Sequence, residues 1–101
     1  QRAFDLVERR VDESDLDGGV IARELDVSPR FMHLIFASAG HTPTGYILER
    51  RLERAASILR MNSNLSVTEV AMRAGFSDLS HFCRSFRRRF GVSASEYRAR
   101  A

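Results

Sequence analysis

The feature that most constrains this chain is an internal repeat. Ala22-Arg-Glu-Leu-Asp-Val-Ser28 aligns with Ala71-Met-Arg-Ala-Gly-Phe-Ser77, six residues separating the alanine from the serine in both. Each serine is followed by an apolar residue (Met32; Phe82), a phenylalanine (Phe36; Phe86), a glycine (Gly40; Gly91) and a tyrosine (Tyr46; Tyr97). Some gaps differ by one residue, so the duplication is approximate. Each copy reads as a short helix, a tight turn and a longer helix whose apolar residues face inward. The alanine is small enough for two helices to cross closely, and Gly75 suits a sharp turn that the first copy builds with Asp26.

The rest of the pattern is helical. Apolar residues recur at spacings of three and four, with little of the strict alternation of a strand. Phe4, Leu6, Val7 and Val11 mark a first helix ending near the acidic run 12–17 and Gly18-Gly19. Val20, Ile21, Ala22 and Leu25 mark a second. Ser28-Pro29 is an N-cap followed by proline at the first helical position, opening a third through Phe31, Met32, Ile35 and Phe36 to Gly40. Thr42-Pro43 repeats that signal before a longer helix through Leu59, ending near Met61-Asn62-Ser63-Asn64. Ser66-Val-Thr-Glu69 and Ser93-Ala-Ser-Glu96 have capping-box spacing, and Ser77 or Asp78 caps a helix through Phe82, Phe86 and Phe90. The expectation is an all-α fold of seven helices.

Charge is unevenly placed. Residues 1–29 carry four arginines against eight acids, a net −4, while residues 30–101 carry twelve against five, a net +7. All sixteen basic side chains are arginine. A basic segment of this kind favours a polyanionic partner, because each arginine can neutralise a phosphate and release a counterion. One cysteine excludes a disulfide framework, and His33, His41, His81 and Cys83 show no metal-ligand spacing. No cofactor, metal or catalytic group is expected: there is no glycine-rich phosphate loop and no nucleophile with a base. No apolar run is long enough for a membrane span, and the start shows no signal peptide. The absence of an initiator Met suggests a piece of a longer chain.

In order and spacing the chain resembles the C-terminal DNA-binding domain of the AraC/XylS transcription regulators. The resemblance is carried by Ser28-Pro-Arg-Phe-Met-His-Leu-Ile-Phe36 with Gly40 and by Arg50-Arg-Leu-Glu-Arg-Ala-Ala-Ser-Ile-Leu59. Val70-Ala-Met-Arg-Ala-Gly-Phe-Ser77, His81-Phe-Cys-Arg-Ser-Phe86, Gly91 and Tyr97-Arg98 complete it. Ala94 stands where the family usually has proline, and Leu34 where it often has arginine. The resemblance implies a homeodomain-like arrangement of two helix-turn-helix subdomains, 18–39 and 66–89, joined by a long linker helix, 42–61. It implies a transcription regulator, an activator among its readings, in the bacterial cytoplasm with the nucleoid. Promoter or operator DNA is the partner, RNA polymerase a second candidate, and any small-molecule effector belongs to a domain absent here.

Geometry then nominates residues. The second helix of such a motif enters the major groove and reads base edges with outward residues near its N-terminus. For recognition helices at about 29–39 and 78–90, the expected base contacts are Arg30, His33 and Leu34, and Leu79, Ser80, Cys83 and Arg84. Arg84 is the foremost guanine reader, both by position and by resemblance. Ser28, Thr42 and Ser77 at helix starts, with Arg87 and Arg88, are expected at phosphates. Arg51 matches a position that the family uses near the linker helix, where it braces the halves or touches DNA. A linker of 19 residues is about 28 Å long, close to the roughly 34 Å between successive major-groove faces. One chain is therefore expected to read two adjacent groove segments, with some bending of the DNA. The alternative from another functional class is an all-α interaction module docking on RNA polymerase or another regulator.

Overall fold

Helix caps set most of the element boundaries in the computed structural model. It describes residues 1–61 and 64–101, and among them are seven helices and no strand. They are α1 (Arg2–Arg10), α2 (Gly18–Leu25), α3 (Pro29–Ala37), α4 (Pro43–Met61), α5 (Val67–Arg73), α6 (Leu79–Phe90) and α7 (Ala94–Arg100). The expected stop signal of α4 at Asn62 and Ser63 lies outside the described residues. No described helix is long and apolar enough to cross a membrane.

Each start is built by a side chain that accepts one of the orphan N–H groups of the first turn. Asp17 accepts from the Val20 amide at 2.9 Å, Ser28 from Phe31 at 3.0 Å, Thr42 from Gly45 at 3.0 Å and Asp78 from His81 at 3.1 Å. Ser66 and Ser93 form the expected capping boxes with Glu69 and Glu96. One boundary departs from expectation. Gly18-Gly19 does not close the first helix but opens the second, because Asp17 in extended backbone caps it there. Gly18 also lies where a Cβ would sit 2.9 Å from the tip of Met32.

The chain folds as two compact units, residues 1–50 and 51–101, dividing within α4. In the first, Leu6, Val7, Ile21, Ala22, Met32, Phe36 and Ile47 are buried around one core. In the second, Val70, Ala71, Ala74, Phe76, Phe82 and Phe86 are buried, as are Leu52, Ala55 and Leu59 of α4.

The repeat is visible atom by atom. The Val27 amide donates to Ala22 O, and the Phe76 amide to Ala71 O, each at 3.0 Å across the turn between paired helices. Such a turn needs a residue with positive φ at the helix C-terminus. Gly75 supplies it at 104°, and Asp26 at 55°, the one positive-φ residue other than glycine among the described residues. Aspartate tolerates the left-handed region better than most side chains, which explains how the first copy turns without glycine. Gly91 caps the sixth helix at φ of 81°, and Gly40, in the turn after the third, has φ of 82°.

Aromatic triads complete the likeness. Phe36 and Tyr46 lie 5.6 Å apart, and Phe86 and Tyr97 5.4 Å. The third corner differs: unit 2 uses Phe90, in the last turn of its longer α6, whereas unit 1 borrows Phe4 from α1. α6 is accordingly twelve residues long against nine for α3.

Candidate nucleic-acid interface

The second helix of each motif has one buried side and one open side. In α3, Met32 and Phe36, four residues apart, are buried. Arg30, His33 and Leu34 are exposed and lie three and four residues apart, so they share a face. In α6, Phe82 and Phe86 take the inner side together with Ser85. Leu79, Ser80, Cys83, Arg84, Arg87 and Arg88 are all exposed and follow one another at helical spacing. Cys83 is thus a surface thiol. Every expected base-reading residue stands on the open side of its own helix.

The candidate phosphate ligands are less uniform. Ser28 and Thr42 are exposed; each hydroxyl oxygen accepts a backbone amide, leaving the hydroxyl hydrogen available to an anion. Ser77 is exposed but precedes the cap of α6. Asp78 holds that position, and its carboxylate places negative charge where a phosphate would otherwise meet the free N–H groups. Arg51 is half-buried on α4. Arg87 lies 3.5 Å from Glu96, an exposed pair that a phosphate can displace at little cost. Glu96 is held below the usual carboxylate range chiefly by the Ser93 hydroxyl and then by the Ser93 amide, with the Arg87 charge a smaller contribution.

Arginine chemistry suits the open side of α6. A planar guanidinium forks onto guanine O6 and N7 or onto two phosphate oxygens, and it stays charged at any physiological pH. The α6 sequence places Arg84, Arg87, Arg88 and Arg89 on one twelve-residue helix, with Arg89 stacked over the Phe90 ring at 4.8 Å. In unit 1 two arginines are held by acids instead. Arg10 binds Glu13 and Glu24 at 2.9 and 3.0 Å, and Arg50 donates to Glu8 at 2.7 Å. Among the described residues no group of three or more acidic, histidine or cysteine side chains could hold a metal.

Phe31 is an exposed residue of α3 that the sequence reading nominated for neither the core nor DNA. It marks α3 as one of its apolar positions, yet it is 53% exposed. The signal lay in the spacing: Met32 and Phe36 define the inner line of the helix, and Phe31 is turned about 100° from Met32.

A helix-turn-helix domain family model matches residues 21–100. The transcriptional activator NphR of a Rhodococcus species is 37% identical over 93 residues, a match covering 92% of this chain and 28% of that protein. The chain thus spans about three tenths of the length of such curated relatives. A transcriptional regulator of Chromobacterium violaceum, described as an AraC-type DNA-binding-domain protein, is 32% identical with a TM-score of 0.86, covering 97% of this chain and 87% of that one. The DNA-binding domain of AdpA, a global transcriptional factor solved in complex with a target DNA, is 29% identical with a TM-score of 0.90, covering 98% and 88%.

Proposed function

Because the chain belongs to the family of AraC-type helix-turn-helix domains, we propose that it binds double-stranded DNA by sequence and forms the DNA-reading part of a transcription regulator. The observation that carries this reading is α6, which buries two phenylalanines on one side and exposes Arg84, Arg87 and Arg88 on the other. The first motif spans 18–39, the linker helix 42–61 and the second motif 66–89. Arg30, His33 and Leu34 of α3 and Leu79, Ser80, Cys83 and Arg84 of α6 meet base edges in adjacent major-groove segments. Ser28, Thr42, Arg51, Arg87 and Arg88 hold the flanking phosphates, while the Asp78 carboxylate at the start of α6 disfavours one beside Ser77. The solved AdpA complex with DNA and the activator role in NphR's name support the same assignment. In this reading the chain is a binding protein and not an enzyme. It works on the bacterial nucleoid in the cytoplasm, and RNA polymerase is the second partner of an activator.

Selection of bound sites from a random duplex pool, followed by footprinting, tests the proposal. The expected footprint covers two successive groove segments, and Arg84→Ala weakens protection of one. Protection of a single segment that Arg84→Ala leaves intact overturns it.

A further inference from the structure

We infer that α3 reads thymine 5-methyl groups through Phe31 and Leu34, which makes the DNA site of this chain chemically two-sided. The inference rests on the proposed entry of α3 into the major groove and names what it recognises there. Neither side chain serves the core: Met32 and Phe36 already close the inner side, while Phe31 and Leu34 remain 53% and 58% exposed. Three residues apart on a helix, they are neighbours and form one apolar patch.

The repeat says what this patch replaces. With Met32 and Phe36 set on Phe82 and Phe86, Leu34 falls on Arg84, and Phe31 falls on His81. Where α6 presents a guanidinium, α3 presents an isobutyl group. A hydrocarbon can neither donate to guanine nor accept from adenine or cytosine. The apolar group that the major groove offers is the thymine methyl. A protein partner fits the patch less well. Two side chains fall far short of the roughly 800 Å² that each side of a stable protein interface buries, and Arg30 and His33 share the same helix surface.

The test substitutes the DNA rather than the protein. On a selected duplex, the α6 half is located as the segment holding the base pair at which Arg84→Ala relaxes preference. Thymines in the other half are then replaced one at a time by uracil, which lacks only the methyl group. The expected result is a loss of about fourfold in affinity per contacted methyl. In a Phe31→Ala/Leu34→Ala double variant the same replacement should have no effect. Both residues are exposed, so the variant keeps its fold, checked by its thermal transition. Equal affinity of the parent chain for thymine and uracil duplexes overturns the inference while leaving the proposed function standing. So does a double variant that retains methyl discrimination but fails to activate transcription in a purified system, since the patch then serves a protein. Failure of the parent chain to prefer any duplex is a different result, and it overturns the proposed function itself.

Discussion

The two units are copies with opposite electrostatic character. Residues 1–50 carry six arginines and nine acids, a net −3, whereas residues 51–101 carry ten arginines and four acids, a net +6. They share the alanine at the helix crossing, the positive-φ turn, the buried phenylalanine pattern and the tyrosine after the glycine. The scaffold is therefore set by a small apolar and turn vocabulary, and the charge is free to vary on the outside. Unit 1 places acids beside its own arginines, as in the Arg10–Glu13–Glu24 cluster and the Arg50–Glu8 pair. Unit 2 leaves an arginine excess on α6.

The largest effects should appear in what the copies share. Phe36 and Phe86 are fully buried at matching positions. Phe36→Ala and Phe86→Ala should each destabilise the unit that holds the residue by about 3–5 kcal/mol. Amide exchange resolved by residue checks this: the loss of protection should concentrate in the mutated unit. Equal loss in both units from either substitution would mean that the copies do not differ in local stability at all.

Next come effects on binding, where the units should diverge. Arg84→Ala should cost about 1–3 kcal/mol against the selected site and relax preference at one base pair. Arg87→Gln and Arg88→Gln should weaken binding to all duplexes alike, each lowering the slope of log affinity against log salt by about 0.9. In unit 1, Arg10→Gln should leave that slope unchanged, because its guanidinium is occupied by Glu13 and Glu24. A slope change from Arg10→Gln as large as that from Arg87→Gln would erase the electrostatic contrast between the units.

The turns offer a finer comparison. Gly75→Ala forces a side chain onto φ of 104° and should cost about 1–2 kcal/mol. Asp26→Gly removes a side chain from φ of 55° and should be neutral or stabilising by up to about 1 kcal/mol. Urea midpoints of the two variants, measured side by side, give the sign directly.

Much of the scaffold was legible because caps and turns act locally. Ser28-Pro29, Thr42-Pro43 and the two serine–glutamate boxes each fix a helix start within four residues, and the structure has them all. The open side of α6 was equally legible, since Phe82 and Phe86 define the inner side and everything else follows from helical spacing. What escaped reading depended on partners distant in sequence. Gly18-Gly19 looks like a break until Asp17 caps it and Met32 closes over it. Phe4 marks only a helix in the sequence until the fold sets its ring against Phe36 at 4.8 Å. Asp78 rather than Ser77 as the cap is a choice between two competent neighbours that local pattern leaves open.

The smallest expected difference is the response to acid. Glu69 is held below its usual value of 4.5 chiefly by the Ser66 amide and then by the Ser66 hydroxyl; for Glu96 the Ser93 hydroxyl leads, followed by the amide. Glu13 is lowered by its hydrogen bonds from Arg10. A carboxyl group whose folded pKa is depressed contributes stability that is fully present above its unfolded value and is lost as pH falls through the folded one. All three contributions should therefore be intact above about pH 4.5 and fade below it. They should respond differently to salt. The Arg10–Glu13 contribution in unit 1 is an exposed ion pair and should weaken at 1 M salt, where screening reaches about 3 Å. The capping boxes of unit 2 are hydrogen bonds within one turn and should fade with acid at either salt concentration. Glu69→Gln and Glu96→Gln keep an acceptor for the cap and should flatten the acid limb for α5 and α7, read from amide protection between pH 6 and 3. An unchanged acid limb in both variants would place the sensitivity elsewhere and remove this distinction between the units.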